Sequence, residues 1–190
     1  MRSFDPRAVG RLECRAWETY YRRKWIAFLI ASIGLVRSAF EMNWARTVMG
    51  AWLVLRANQR WAPVPNNDPD AARALMRDFY RLLKVSENSK LDPRRAAELE
   101  VEWWGAHREN QRDKKPGTDE DLITALTNLY AYSYSAAPAD VRQAAALRAK
   151  AMDVSDRWVD AGCDPDNPML AEERALLVRS YASLLAAVHR

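Results

Sequence analysis

One helix-forming segment, residues 92–112, carries two ionisable side chains within its apolar face. At about 100° per residue, Glu100 and His107 fall in the same arc as alanine, valine and tryptophan side chains. Ionisable groups in a hydrophobic stripe must find partners, shift their pKa or take part in chemistry. We therefore take Glu100 and His107 as the candidate catalytic residues. The complete arc is Ala96, Ala97, Glu100, Val101, Trp103, Trp104 and His107.

Glu100 and His107 lie about 10.5 Å apart along a helix axis, so a site needs partners from other helices. His107 could act as an acid or base, because burial among aromatic rings lowers the pKa of a histidine and a carboxylate raises it. The alternative is a structural network, in which Glu100 pairs with an arginine of another helix and His107 with a tyrosine or a backbone carbonyl. The candidate ligand-binding residues near predicted inner faces are Glu13, Tyr21, Arg56 and Trp104.

The sequence does not have the spacing of known metal sites. A di-iron site of the ferritin type needs Glu-x-x-His twice, whereas Trp103 stands at that spacing after Glu100 and the other histidine is His189. A single metal ion held by Glu13, Glu100 and His107 is an alternative, but these residues do not follow the spacing of such sites. We therefore predict no metal site, and the sequence identifies no cofactor.

The elements that would position these residues are helices. Asp-Pro or Asn-Pro occurs five times, and an N-cap side chain followed by proline is typical of a helix start. Apolar residues recur every three or four positions, and no stretch has the alternation of a strand. We predict an all-α single domain, an irregular bundle of six to seven helices around a tryptophan-rich core. The predicted helices span residues 6–40 (with a bend near Gly34), 44–60, 69–85, 93–111, 119–133, 138–161 and 168–188.

The tryptophans are expected to serve mainly in packing. Five of the eight fall at core spacing, whereas Trp61 at a helix end does not fit a core. The second predicted helix shows this pattern clearly, with an inner stripe of Trp44, Val48, Trp52 and Leu55. The five tryptophans at core spacing are Trp17, Trp25, Trp44, Trp52 and Trp158.

Composition is that of a folded protein. Of 190 residues, 49% are hydrophobic and 28% charged, which excludes a disordered chain. There is no glycine-rich phosphate loop, Gly-x-Ser-x-Gly elbow or His-Glu-x-x-His motif, so nucleotide hydrolysis, hydrolase-type acyl transfer and zinc proteolysis lack support. Cys14 and Cys163 form neither a disulfide framework nor a zinc motif. Because no signal-peptide pattern opens the chain, we expect a cytoplasmic protein.

Charge is distributed unevenly along the chain. Residues 1–62 hold 11 basic and 4 acidic residues, a net charge of +7 within a total of +4. We predict a protein that acts through interaction with another protein or with its own copy, through the basic face of Arg11, Arg15 and Arg22. Peripheral binding to an anionic membrane through the basic first helix is an alternative. Nucleic-acid binding is not favoured, because the aromatic and basic residues of segment 22–25 fall on different helix faces.

The other alternative to an interaction protein is a protein that binds a substrate or ligand in a buried pocket. Glu100, Trp104 and His107 would surround the pocket of an enzyme, or of a protein that binds a small ligand or a metal. The interaction hypothesis and the pocket hypothesis predict different effects of His107→Ala. That substitution would abolish the activity of an enzyme and leave the partner affinity of an interaction module unchanged.

Overall fold

The computed structural model describes residues 3–40, 42–87, 90–113 and 119–189. Within these ranges the chain forms eight α-helices and no β-strand, which confirms the predicted all-α class. Six to seven helices were predicted, so the predicted number is slightly too low. The helices are α1 (Pro6–Tyr21), α2 (Trp25–Ala39), α3 (Trp44–Trp61), α4 (Pro69–Glu87), α5 (Pro93–Asp113), α6 (Asp119–Tyr134), α7 (Pro138–Asp160) and α8 (Met169–Val188).

The extra helix arises because the predicted first helix is divided. Between α1 and α2 the backbone of Arg23 has φ +55°, in the left-handed region, where a right-handed helix cannot continue. The predicted bend near Gly34 is not the site of the break, since Gly34 lies inside α2. A Cβ atom at Gly34 would lie 2.9 Å from Cδ2 of Leu12, so this glycine allows α2 to pack closely on α1.

Three of the four Asp-Pro pairs begin helices as the sequence predicts, at α1, α4 and α5, whereas Asp164-Pro165 lies in the turn between α7 and α8. At the start of α1 the Asp5 side chain accepts a hydrogen bond from the backbone N–H of Arg7 at 2.9 Å. At the start of α5 Asp92 accepts from the N–H of Arg94 at 3.0 Å. Both carboxylates satisfy N–H groups that have no partner within the helix, which fixes where each helix begins.

The eight helices form a ring in chain order. Each helix packs against the helices before and after it, and α8 also packs against α1. Gly10 allows this closing contact, since a Cβ atom there would lie 2.7 Å from the backbone nitrogen of Val178 in α8. The main hydrophobic cluster takes residues from every helix. Side chains of helices that are distant in sequence therefore meet inside the ring.

The predicted inner stripe of α3 is partly wrong. Leu55 is buried, but Trp44 is 63% exposed, and Val48 and Trp52 are each 47% exposed. The three-or-four spacing identifies a stripe without saying which side of the helix faces the core, and here small side chains take the inner side because they let neighbouring helices approach. Trp158 is fully buried, as predicted. The buried residues of α3 are Thr47, Gly50, Ala51, Leu55 and Ala57.

Candidate functional site

A pocket of about 210 Å³ lies inside the ring and is lined by side chains from all eight helices. Most of its lining residues are aliphatic or aromatic, and its charged residues are Glu13, Glu100 and Arg148. Small-molecule sites in proteins commonly combine apolar walls with a few converging polar groups. This pocket therefore has the general composition of a ligand site.

Glu100 of α5 is held in the pocket by two hydrogen bonds. The Tyr80 hydroxyl donates to Oε2 at 2.7 Å, and Nε1 of Trp103 donates to Oε1 at 3.1 Å. Burial raises the pKa of Glu100, and the positive charge of Arg148 and these two hydrogen bonds oppose that shift only in part. Because an ionised carboxylate has about four lone-pair sites, Glu100 keeps the capacity to accept further hydrogen bonds.

A buried ion pair lies beside Glu100. Nη2 of Arg148 in α7 donates to Oε1 of Glu13 in α1, and the two side chains are only 9% and 4% exposed. The Tyr181 hydroxyl of α8 donates to the other Glu13 oxygen at 2.6 Å. The Arg148 guanidinium also lies 4.7 Å from the centre of the Trp103 ring. Glu13 and Arg148 neutralise each other, so an ionised Glu100 gives these three groups a net charge of −1.

His107 lies in a second pocket of about 100 Å³, which shares five lining residues, Trp104 among them, with the first. Its Nε2 atom lies 3.2 Å from Oδ2 of Asp156 in α7. The Gln111 amide donates to the Tyr21 hydroxyl at 3.1 Å and also to Oδ1 of Asp156. These contacts connect α1, α5 and α7. They resemble the predicted structural network, although the partner of His107 is an aspartate and not a tyrosine or a backbone carbonyl.

The reactive side chains in the described lining of the second pocket are the His107 imidazole and the Tyr20 and Tyr21 hydroxyls. An imidazole is suited to proton transfer, and both an imidazole and a tyrosine hydroxyl can act as nucleophiles. The described residues that line this pocket include no serine, threonine or cysteine that could serve as a nucleophile. Arg108 is engaged with Trp61, since Nη2 donates to the Trp61 carbonyl at 2.7 Å and the guanidinium lies 4.1 Å from the ring centre. No group of three or more metal-ligating side chains occurs in the described part of the chain.

Arg56, predicted as a ligand-binding residue, lines neither pocket. Its Nη1 atom donates to Gln59 at 3.2 Å, and its guanidinium lies 5.9 Å from the centre of the exposed Trp52 ring. Arg56 follows Trp52 by one helical turn, so it is placed beside an outward-facing stripe and not inside the ring. The other predicted residues divide between the pockets, with Glu13 and Glu100 in the larger, Tyr21 and His107 in the smaller, and Trp104 in both.

Several polar residues in or beside the pockets were not identified from the sequence. Arg148 lies four residues after Ala144 and four before Met152, so it interrupts the apolar stripe of α7 as Glu100 does in α5. This interruption is visible in the sequence and could have identified Arg148. Tyr80 and Asp156 were harder to identify from the sequence. A tyrosine is common in a core even where it has no polar role, and an aspartate near the end of a helix is usually exposed to solvent.

The predicted contact surface on α1 is partly neutralised. Arg15 of α1 and Arg22, which directly follows α1, both form ion pairs with Glu18, the second at 2.8 Å. Arg11 is exposed. Interaction with a protein partner through this face stays a prediction.

Comparisons with protein-family models, with curated proteins and with solved structures found no match for this chain. A function must therefore be proposed from geometry and chemistry. The larger pocket offers the most for this purpose, because it combines volume, aromatic side chains and a carboxylate with free acceptor capacity.

Proposed function

We propose that the protein binds a small organic cation, an amine with a compact apolar body, in the larger pocket. One observation carries this proposal: the Glu100 carboxylate lies in an aromatic pocket in which Arg148, the one arginine among the described lining residues, is already paired with Glu13. A ligand would place its ammonium group at Glu100 and its apolar body among the rings.

The volume of the pocket limits the size of the ligand. An engineered apolar cavity of about 150 Å³ accepts benzene. A pocket of about 210 Å³ has room for one ring with a short side chain. It is smaller than the sites of about 300 Å³ or more that hold drug-sized molecules. We therefore expect a single-ring or short-chain amine.

The charges of the pocket favour a cation over an anion. The ion pair of Glu13 and Arg148 leaves little positive charge for a ligand carboxylate, and such a group would be repelled by Glu100. Aromatic faces attract cations, and Trp103 and Trp104 both line the pocket next to Glu100. A protonated amine would therefore gain from both the carboxylate and the rings.

Three ligands of similar shape and different charge test the proposal. Calorimetric titration near neutral pH would compare phenethylamine, phenethyl alcohol and hydrocinnamate. We expect phenethylamine to bind at least roughly ten-fold more tightly than the alcohol, a difference of about 1.4 kcal/mol, and hydrocinnamate to bind weakest. Because burial raises the pKa of Glu100, affinity for the amine should also fall as the solution is acidified.

A matched pair of variants locates the effect. Glu100→Gln keeps the size of the side chain and removes its charge, so the preference for the amine should disappear. Glu98→Gln, on the same helix but ion-paired with Arg95 outside the pocket, should leave affinity unchanged. Equal binding of the amine and the alcohol to the unmodified protein would refute the proposal, as would unchanged affinity for the amine in Glu100→Gln.

A further inference from the structure

The outside of the ring carries an apolar surface that the pocket does not explain. Six of the eight large hydrophobic side chains that are exposed in the described residues belong to the consecutive helices α2 and α3. The most exposed is Ile26, at 80%. We name this surface the outer α2–α3 face. Its residues are Ile26, Ile30, Trp44, Val48, Met49 and Trp52.

The two helices pack side by side, and we treat their exposed stripes together as one face. At one end, the guanidinium of Arg37 near the end of α2 lies 5.3 Å from the centre of the Trp44 ring at the start of α3. At the other end, Phe28 of α2 and Leu55 of α3 share a hydrophobic cluster. This pairing shows that α2 and α3 run antiparallel. Ile26 and Ile30, near the start of α2, therefore lie toward the C-terminal half of α3, and Trp44 lies at the opposite end of the face beside Arg37.

The segment that forms this surface carries almost only positive charges. Residues 22–67 contain seven basic side chains and one acidic side chain, and neither α2 nor α3 contains an aspartate or glutamate. Both exposed tryptophans of the face have an arginine against the ring, Arg37 at Trp44 and Arg56 at Trp52. Each of these tryptophans therefore presents an apolar ring and a cation together.

We propose that the outer α2–α3 face docks on the surface of an anionic lipid bilayer. Tryptophan is suited to the boundary between water and lipid, because its ring is apolar and its N–H can bond to head groups. Exposed isoleucine and methionine side chains would enter the acyl boundary, and the arginines would contact lipid phosphates. None of the described helices is long and apolar enough to cross a membrane, so the interaction proposed is with the surface.

Charge and shape favour lipid over other occupants of this face. A second copy of the chain would bring two positively charged surfaces together without acidic residues on either helix to pair with them. The six apolar side chains are between 47% and 80% exposed, so they project from the surface. Protein partners commonly insert their strongest contacts into pockets. A lipid surface deforms around exposed side chains, so it can bind them without a pocket.

Cosedimentation with vesicles tests the proposal. The full chain would be mixed with vesicles of phosphatidylcholine alone or with phosphatidylglycerol, at low and at high salt. We expect binding to the anionic vesicles that weakens at high salt, because salt screens exposed charges. Ile30→Asp should weaken binding by roughly ten-fold or more. Val85→Asp is the matched control, since Val85 is 64% exposed on α4, outside the face, and this variant should bind normally.

A second pair of variants tests the contribution of charge. Arg37→Ala should weaken binding about five-fold, the effect of one basic residue at an anionic surface. Arg179→Ala removes the same charge from an exposed position on α8, and we expect no change. Circular dichroism would establish that each variant is folded.

Three results would overturn the proposal. The first is absence of binding to anionic vesicles at low salt, and the second is an equal loss of binding in Ile30→Asp and Val85→Asp. The third is another occupant in place of lipid: a dimer in analytical ultracentrifugation that Ile30→Asp abolishes, or a single-stranded oligonucleotide bound through this face.

Discussion

Glu173 of α8 should make the stability of this protein depend strongly on pH. The side chain has no exposed surface, and neither carboxylate oxygen has a hydrogen-bond partner among the described residues. Burial raises the pKa of Glu173 to about 8, and the negative charge of Glu13 adds to the shift, while the polar groups of Cys14 and Ser155 oppose it. The folded protein therefore holds a proton at Glu173 that the unfolded chain releases.

The pH range and the magnitude follow from this pKa. In the unfolded chain the pKa of Glu173 is about 4.5, so between about pH 4.5 and 8 the folded state binds one proton more than the unfolded state. Stability is then full below about pH 4.5 and is lost as the pH rises to about 8. One pKa unit corresponds to about 1.4 kcal/mol, so the free energy of unfolding should fall by roughly 4 kcal/mol across this range.

Urea unfolding at pH 5 and pH 8.5 measures the effect. Glu173→Gln keeps the size of the side chain and cannot ionise, so it should be more stable than the unmodified protein at pH 8.5 and lose much less stability between the two pH values. Glu172→Gln, an exposed neighbour on the same helix, should behave like the unmodified protein. If Glu173→Gln and the unmodified protein lose the same stability between pH 5 and 8.5, the reasoning is wrong.

Two further predictions concern packing and the buried ion pair. Arg148→Met leaves Glu13 charged and unpaired, so it should cost about 3–5 kcal/mol of unfolding free energy, whereas Glu13→Leu combined with Arg148→Met should recover most of that loss. A urea double-mutant cycle measures this, and additive effects would contradict it. Gly10→Ala should destabilise by about 1–3 kcal/mol, because its Cβ atom would meet the backbone of Val178. Gly105→Ala should instead stabilise the protein by about 0.5–1 kcal/mol, because no atom lies within 4 Å of a Cβ atom added at Gly105. Thermal melts compare the two variants, and equal effects on stability would refute the packing explanation.

The helix starts could be predicted from sequence because they depend on local chemistry. Asp5 and Asp92 bond to N–H groups two residues further along, so the signal lies within one helical turn. The break between α1 and α2 could not be predicted in the same way. It occurs at Arg23, where neither glycine nor proline marks the left-handed backbone. Packing against neighbouring helices decides such a break, and spacing within one segment does not reveal it.

The candidate site could also be predicted only in part, because a single helical segment does not reveal which other helices it meets. Glu100 could be identified because a carboxylate in an apolar stripe is visible within a single helix. Its neighbours Tyr80 and Arg148 come from α4 and α7, and which helices meet inside the ring depends on the order of packing around it. The outward orientation of Trp44 and Trp52 was missed for a related reason. A periodic stripe on α3 has the same spacing whether it faces the core or solvent.

The most direct test of the proposed function is a crystal structure of the protein grown with phenethylamine near neutral pH. We predict the ammonium nitrogen at about 2.7–2.9 Å from a Glu100 carboxylate oxygen, with the phenyl ring packed against Trp103 and Trp104 in the larger pocket. A complex in which the amine lies outside this pocket, or in which its nitrogen points away from Glu100, would contradict the assignment of Glu100 as the residue that recognises the cation.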